Sequence, residues 1–251
     1  MTINVYWTRV TTQSVNELRQ GGLSPYNVIS PLRVSEPIPL LKHIDHKEFL
    51  GPWASKCPAL VDDLKNVFVI KSPFDIKLST GIMNSAKIEK QTPEFGKLFF
   101  GEPQGKVGMH QTNLPYLFFA EKSLLMSHLP AYYDHNSFTE NTFQITGSFD
   151  IGRWFRAAGK PTFMFKPGKT VIDINEGDAL LYIKFNTTEK VKLIEFDYAE
   201  FERLGDHSPV AACVDLKNQS NGKITLEKCY EYFERFKMRQ RILKIIKRNK
   251  V

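Results

Sequence analysis

The fold is decided by Phe143–Phe196, which reads FQITGSFDIGRWFRAAGKPTFMFKPGKTVIDINEGDALLYIKFNTTEKVKLIEF. Short apolar runs alternate there with turn-forming residues, the pattern expected of antiparallel sheet. Pro161–Lys166 alternates around two phenylalanines, Pro167-Gly168 interrupts it, and Lys169–Ile174 alternates again. Because two alternating runs flank a turn pair, these residues predict a β-hairpin.

The neighbouring runs extend this sheet. Ala179–Phe185 is almost wholly apolar, so it predicts a strand buried on both faces. Val191–Phe196 is predicted to return beside it and to close a small meander. Ile3–Val10 predicts a first strand with Val5 and Trp7 on one face. Further strands are predicted at 66–71, 74–78, 117–120 and 124–129, and Pro58 predicts the first turn of a helix over Cys57–Lys65.

Composition sets the fold class. The chain has 251 residues, long enough for one large β domain, and its 19 phenylalanines suit packing between two sheets. We therefore expect an α+β protein dominated by antiparallel sheet: a jelly-roll-like or related two-sheet sandwich over residues 1–200, with a helical C-terminal extension over 201–251. Three distant cysteines form neither a disulfide framework nor a metal knuckle. No stretch reads as a secretory signal or a membrane span, so a cytoplasmic location is expected.

A set of segments carries a family resemblance. They are Lys56-Cys57-Pro58-Ala59 running into 66–70, Ser72-Pro73-Phe74-Asp75, Phe149–Arg156 and Gly177-Asp178. Together they resemble an uncharacterised family of tailed-bacteriophage proteins, marine T4-like phages above all, and of bacterial proteins. The resemblance covers residues 4–197 and implies a β-rich fold and a viral origin, with the protein in the host cytoplasm or packaged in the virion. That family has no established activity, so it implies no catalytic residues.

His43-Ile44-Asp45 is the candidate metal site. A His-x-Asp pair with a distant histidine is the facial triad that holds Fe(II) in jelly-roll oxygenases that use 2-oxoglutarate. His135, in the loop PAYYDHN at 130–136, is taken as the third ligand among the candidates His110, His128, His135 and His207. The alternative is that Asp45 caps a short helix and that His43 lies on the surface.

Asp150, Arg153, Trp154 and Arg156 form a second candidate site. Arginine forks bind phosphate or carboxylate, and the indole of Trp154 can stack on a base. The strand entry near Gly177 is faintly similar to the dUTPase and dCTP-deaminase β-clip, which implies a nucleotide ligand. The alternative is structural: the arginines pair with carboxylates across strands while Trp154 fills the edge of the core.

The C-terminus predicts a basic amphipathic helix over about 225–248. From residue 235 onward there are eight cations and no acid, which leaves a formal charge of −1 (+7 − 8) for residues 1–234. The candidate partner-binding or nucleic-acid-binding residues are Arg235, Lys237, Arg239, Arg241, Lys244, Lys247 and Arg248. Ile242, Leu243, Ile245 and Ile246 favour a protein partner or self-association, because a purely phosphate-binding tail would not need them. The alternative is a helix docked on the β domain.

These observations lead to three functional hypotheses. No catalytic pattern outweighs its structural alternative, so the first is a phage-encoded, non-enzymatic binding or structural protein that acts through its sheets and its basic helix. The second is the oxygenase with Fe(II) and 2-oxoglutarate as cofactors, and the third is the nucleotide-binding β-clip protein.

Overall fold

A computed structural model describes residues 2–9, 35–44, 51–53, 55–73, 75–80, 86–88, 109–112, 114, 116–153, 156–157, 161–197 and 226–248. The strands in these ranges are β1 (Thr2–Arg9), β2 (Ile38–Pro39), β3 (Val67–Lys71), β4 (Ile76–Thr80), β5 (Ala86–Ile88), β6 (His110–Gln111), β7 (Tyr116–Ala120), β8 (Leu125–Leu129), β9 (Thr142–Ile145), β10 (Ser148–Asp150), β11 (Arg156–Ala157), β12 (Thr162–Phe165), β13 (Val171–Ile174), β14 (Ala179–Phe185) and β15 (Lys190–Glu195). The helices are α1 (Leu40–His43), α2 (Pro58–Leu64), α3 (Ser137–Asn141), α4 (Leu226–Arg235) and α5 (Met238–Arg248).

The strands form two principal sheets. The first sheet has the order β11-β7-β1-β15, and the second has the order β10-β8-β14-β3-β2. Two three-stranded sheets, β6-β12-β9 and β13-β4-β5, adjoin them. Every pair of described strands is antiparallel except β1 with β15, which is parallel. The predicted α+β class with mainly antiparallel sheet is therefore confirmed, and the arrangement is an open sandwich.

The main core fills the space between the two principal sheets. Val5 and Trp7 project into it from β1, as the alternation of that strand predicts. The Phe118 ring of the first sheet meets the Phe185 ring of the second edge-on, with 6.0 Å between centroids. Aromatic contacts of this kind bridge the gap between two twisted sheets.

The outer face of the second sheet is covered by helices α1 and α2. On the second sheet, Val69 and Tyr182 pack beneath Leu40 of α1 and Leu64 of α2. This covering explains why both faces of β14 are buried, because its residues alternate between the main core and the covered outer face. The prediction that β14 is buried on both faces is confirmed.

The predicted hairpin and meander are wrong, although their strands exist. β12 pairs with β6 and β9, whereas β13 pairs with β4, so the two runs diverge after a turn in which Gly168 has φ +75°. Likewise, β14 pairs with β3 and β8, while β15 pairs with β1 in the other sheet. Alternation shows which side of a strand is buried, but strands with similar apolar faces are interchangeable as neighbours until the whole sandwich is assembled.

The predicted C-terminal helix is two helices. α4 ends at Arg235 and α5 begins at Met238, and Lys237 between them has φ +51°. A left-handed residue that is not glycine costs free energy, so packing of the flanking helices must stabilise this break. Among the described residues, no helix is both long and apolar enough to cross a membrane.

Candidate functional site

The two C-terminal helices dock on the outer face of the first sheet. Phe233 of α4 and Ile242 and Ile246 of α5 are buried, with exposed fractions of 2%, 0% and 0%. They pack in one cluster with Tyr6 of β1 and Phe119 of β7. Because Ile242 and Ile246 are one helical turn apart, they present a single apolar stripe to the sheet.

Polar contacts hold α5 at both ends. Near its start, Arg239 Nε donates a hydrogen bond to the Gly152 carbonyl oxygen at 2.6 Å. Near its end, Lys247 Nζ lies 3.1 Å from Glu121 Oε1, the same oxygen that accepts a hydrogen bond of 2.7 Å from Tyr6 OH. Burial, and after it the bond to Glu121, raises the pKa of the Tyr6 phenol well above its ordinary value, so Tyr6 remains a donor.

The opposite side of α5 is cationic and solvent-exposed. Arg241, Lys244 and Arg248 follow one another at steps of three and four residues, which places them along one face. Lys237 lies in the left-handed break immediately before α5, and its carbonyl oxygen accepts from the backbone N–H of Gln240 at 3.1 Å. We call these four residues the cationic stripe. All four are exposed, and none of them forms an ion pair within the described residues.

The predicted arginine site joins the domain to α4. Arg153 Nε lies 3.3 Å from Glu234 Oε1, and its guanidinium lies 5.2 Å from the centroid of the Tyr230 ring. Arg239 shares Glu234, at 3.4 Å. Arg153 is thus engaged by the helical extension.

Asp150 has a separate structural role. Its Oδ1 accepts from the backbone N–H of Leu124 at 3.0 Å and from that of Gly152 at 2.8 Å, and its Oδ2 accepts from Ser123 Oγ. These bonds tie the end of β10 to the turn before β8. The structure therefore does not bring Asp150 and Arg153 together on one ligand; Trp154 and the side chain of Arg156 lie outside the described residues.

The predicted metal residues are only partly described. His43 ends α1, and its Nε2 lies 2.8 Å from Asp134 Oδ1 in the loop that also carries the exposed His135. Asp45 lies outside the described residues. Among those described, there is no group of three or more His, Cys, Asp or Glu side chains that could hold a metal ion.

Asp134 is the centre of a hydrogen-bond chain that sequence reasoning missed. Its Oδ2 accepts from Tyr182 OH at 2.5 Å, and that phenol oxygen in turn accepts from the Tyr133 backbone N–H at 3.2 Å. Burial, and after it the bond to Asp134, raises the pKa of the fully buried Tyr182. Burial also raises the pKa of the adjacent Tyr132 to about 12. The chain links α1, this loop and β14.

The docking removes the reason for preferring a protein partner. Ile242 and Ile246 are covered by the chain's own sheet, and Leu243 and Ile245 are half-buried at the same contact. Arg239 and Lys247 also contact the β domain, through the Gly152 carbonyl oxygen and the Glu121 carboxylate, so we do not include them in the cationic stripe. The spacing of residues 242 and 246 could have indicated a docked stripe, but no local signal identified the surface that receives it.

Comparisons of the chain with protein-family models, with curated proteins and with solved structures found no match.

Proposed function

We propose that this protein is a non-enzymatic nucleic-acid-binding protein and that the cationic stripe binds the phosphate backbone. The observation that carries the proposal is the division of α5 into a buried apolar side and an exposed side whose cations form no ion pair with any described residue. Cations held on a docked helix can contact phosphates without first ordering a flexible tail, so less conformational entropy is lost on binding.

The geometry favours nucleic acid over an anionic membrane. A membrane-surface helix inserts its apolar face between lipids, and in α5 that face is already packed on the first sheet. Membrane insertion would therefore require the helix to leave its docking surface. Phosphate binding needs only the exposed side.

The charge distribution also supports a local binding surface. Residues 1–234 carry a formal charge of −1, so the net positive charge that attracts phosphates is concentrated in the C-terminal segment. Arg241 and Arg248 are seven residues apart, about 10 Å of helix axis at ~1.5 Å per residue, and Lys237 lies in the break immediately before α5. This length matches a contact with a few successive phosphates.

The test measures binding of the full chain to a fluorescent 20-base-pair DNA by anisotropy at several KCl concentrations. Four phosphate contacts predict a slope of log K against log salt of about −3.6, which corresponds to a loss of affinity of roughly 100-fold between 50 and 200 mM. The Arg241→Gln/Lys244→Gln variant should bind more weakly and should reduce the steepness of that slope by about 1.8.

The matched control is Lys56→Gln/Lys169→Gln, which removes the same charge from exposed positions elsewhere. If this control loses as much affinity as the stripe variant, the attraction is a net-charge effect and the proposal fails. It fails equally if binding to anionic vesicles exceeds binding to DNA and displaces α5 from the sheet.

The family resemblance extends this proposal to a viral setting. A phage-encoded protein in the host cytoplasm would meet the viral genome there, and a packaged one would accompany it. Mass spectrometry of purified particles and of infected cells distinguishes the two locations.

A further inference from the structure

The break between α4 and α5 holds an aromatic residue at the surface. Phe236 lies in this break, directly before Lys237 of the cationic stripe, and it is 50% exposed. Phe233, three residues earlier, is buried and packs on the first sheet. If α4 continued, Phe236 would lie on the same side of the helix as Phe233 and would be covered with it. Because α4 ends at Arg235, Phe236 leaves that apolar stripe and keeps half of its surface in water.

Hydrogen bonds and ion pairs fix the backbone of this break. The Lys237 N–H donates to the Glu234 carbonyl oxygen at 3.0 Å. The Arg239 guanidinium ties the same turn to the β domain, through the Glu234 carboxylate and through the Gly152 carbonyl oxygen. A fixed backbone limits the positions that the Phe236 ring can take, so less conformational entropy is lost when a ligand covers it.

The strained residue of the break carries a charge. A left-handed backbone is adopted most easily by glycine, and any other residue in that conformation costs free energy. Here the position is held by Lys237, with φ +51°, which places an exposed cation next to the exposed ring of Phe236. Backbone strain that the surrounding contacts maintain is a common feature of binding sites. A cation beside an aromatic ring suits a nucleotide, since it offers a partner to the phosphate and another to the base.

A single strand of nucleic acid exposes the faces of its bases, and a duplex does not. In a duplex the bases are stacked and paired, so a side chain reaches a base face only if the stack is opened. In a single strand each base has an accessible face, on which aromatic side chains stack while cations follow the backbone. A phenyl ring has no hydrogen-bonding group with which to read the base edges in a groove. The chemistry of Phe236 therefore fits an unpaired base.

We infer that the nucleic acid bound by the cationic stripe is single-stranded and that Phe236 stacks on one of its bases, with Lys237 and Arg241 at neighbouring phosphates. This inference rests on the proposed function, which places the phosphate backbone along the stripe. Phe236 then determines the preference for single strands, while the stripe supplies the attraction that all nucleic acids share.

The experiment compares three fluorescent ligands by anisotropy at 200 mM KCl: a 20-nucleotide oligothymidylate, an abasic strand of the same length and a 20-base-pair duplex. The abasic strand keeps the phosphates and lacks the bases, so the full wild-type chain should bind it about 5- to 150-fold more weakly than oligothymidylate. Phe236→Ala should lose a similar factor on oligothymidylate and should bind the abasic strand and the duplex as the wild type does.

Phe143→Ala is the matched control, because Phe143 is also 50% exposed and lies on β9, in a different sheet from the one that receives α5. It should bind all three ligands as the wild type does. Phe236→Trp should keep the preference for oligothymidylate, because an indole also stacks on bases. Equal wild-type affinity for oligothymidylate and the abasic strand overturns the inference, as does a loss in Phe236→Ala that is equally large on the duplex.

The inference and the proposed function can fail separately. Arg241→Gln/Lys244→Gln should weaken the binding of all three ligands, and if it does not, the proposed function fails. If it does, and Phe236→Ala still binds oligothymidylate as the wild type does, only the single-strand inference fails. An oligouridylate of the same length should also bind more weakly to Phe236→Ala, and the tighter of the two strands identifies DNA or RNA as the preferred ligand.

Discussion

Replacing the buried isoleucines of α5 should release the helix from the first sheet. Ile242 and Ile246 have no exposed surface and contact the cluster that contains Tyr6 and Phe119. Ile242→Ala and Ile246→Ala each weaken that contact without touching the core between the sheets.

The expected loss follows from the atoms removed. Isoleucine to alanine deletes three carbon groups at ~0.8 kcal/mol each, or about 2.4 kcal/mol, and any cavity that remains adds to this. Because the contact is between a helix and a sheet face, partial collapse should keep each variant near 2 to 3 kcal/mol. The two sites are neighbours on one helix, so their effects should not add fully.

Hydrogen exchange measured by mass spectrometry is the appropriate assay, since it separates local opening from global unfolding. In the double variant, amides of α4 and α5 should exchange much faster, while those of β3 and β14 should remain protected. The melting temperature should fall by about 4 to 12 °C for each single variant, using ~2 to 4 °C per kcal/mol for a chain of this size.

Lys244→Ala is the control on the same helix. It removes a long side chain from the exposed side and should leave both exchange and melting temperature nearly unchanged. If Ile242→Ala and Ile246→Ala behave like Lys244→Ala, then α5 is not docked on the first sheet. The proposal of a preformed phosphate-binding surface would then be refuted as well.

Three further variants test other parts of the structure. Gly152→Ala should lower the free energy of unfolding in urea by about 1 to 3 kcal/mol, because its Cβ would lie 2.8 Å from the Ser123 backbone nitrogen and closer still to the Lys122 carbonyl group. Wild-type stability would show that the two backbone segments are not this close. Asp134→Ala should lower the free energy of unfolding by about 2 to 4 kcal/mol, because it leaves the buried Tyr182 hydroxyl without its acceptor. Adding Tyr182→Phe should recover part of that loss, and no recovery would refute the pairing. Burial lowers the pKa of His110 below its ordinary value of 6.5. The unfolded chain therefore binds this proton at a higher pH than the folded chain does. The free energy of unfolding is thus at its full value above about pH 6.5 and decreases as the pH falls below it. The stability difference between pH 7.5 and pH 5 should therefore shrink in His110→Phe, and an unchanged difference would count against this explanation.

The candidate sites show where sequence reasoning reaches its limit. Asp150 and Arg153 are three residues apart in the segment whose arginines and tryptophan predict an anion site, yet the structure directs Asp150 to the turn at Ser123 and Arg153 to Glu234. His43 was grouped with Asp45 by the same kind of proximity, and its described partner is Asp134, 91 residues away. A short spacing shows that two side chains can meet, but it does not exclude stronger partners from distant segments.

The amino-acid sequence by itself determined nine of the fifteen described strands (β1, β3, β4, β7, β8 and β12 to β15), the buried faces of β1 and β14, and where the positive charge is concentrated. These features follow from local properties: alternation, proline and glycine positions, and the charge of consecutive residues. Only the tertiary structure decided that β15 pairs in parallel with β1 and that the apolar stripe of α5 is covered by the first sheet. Each of these depends on contacts between residues far apart in the chain, and many distant surfaces share the same apolar character, so no local pattern selects among them.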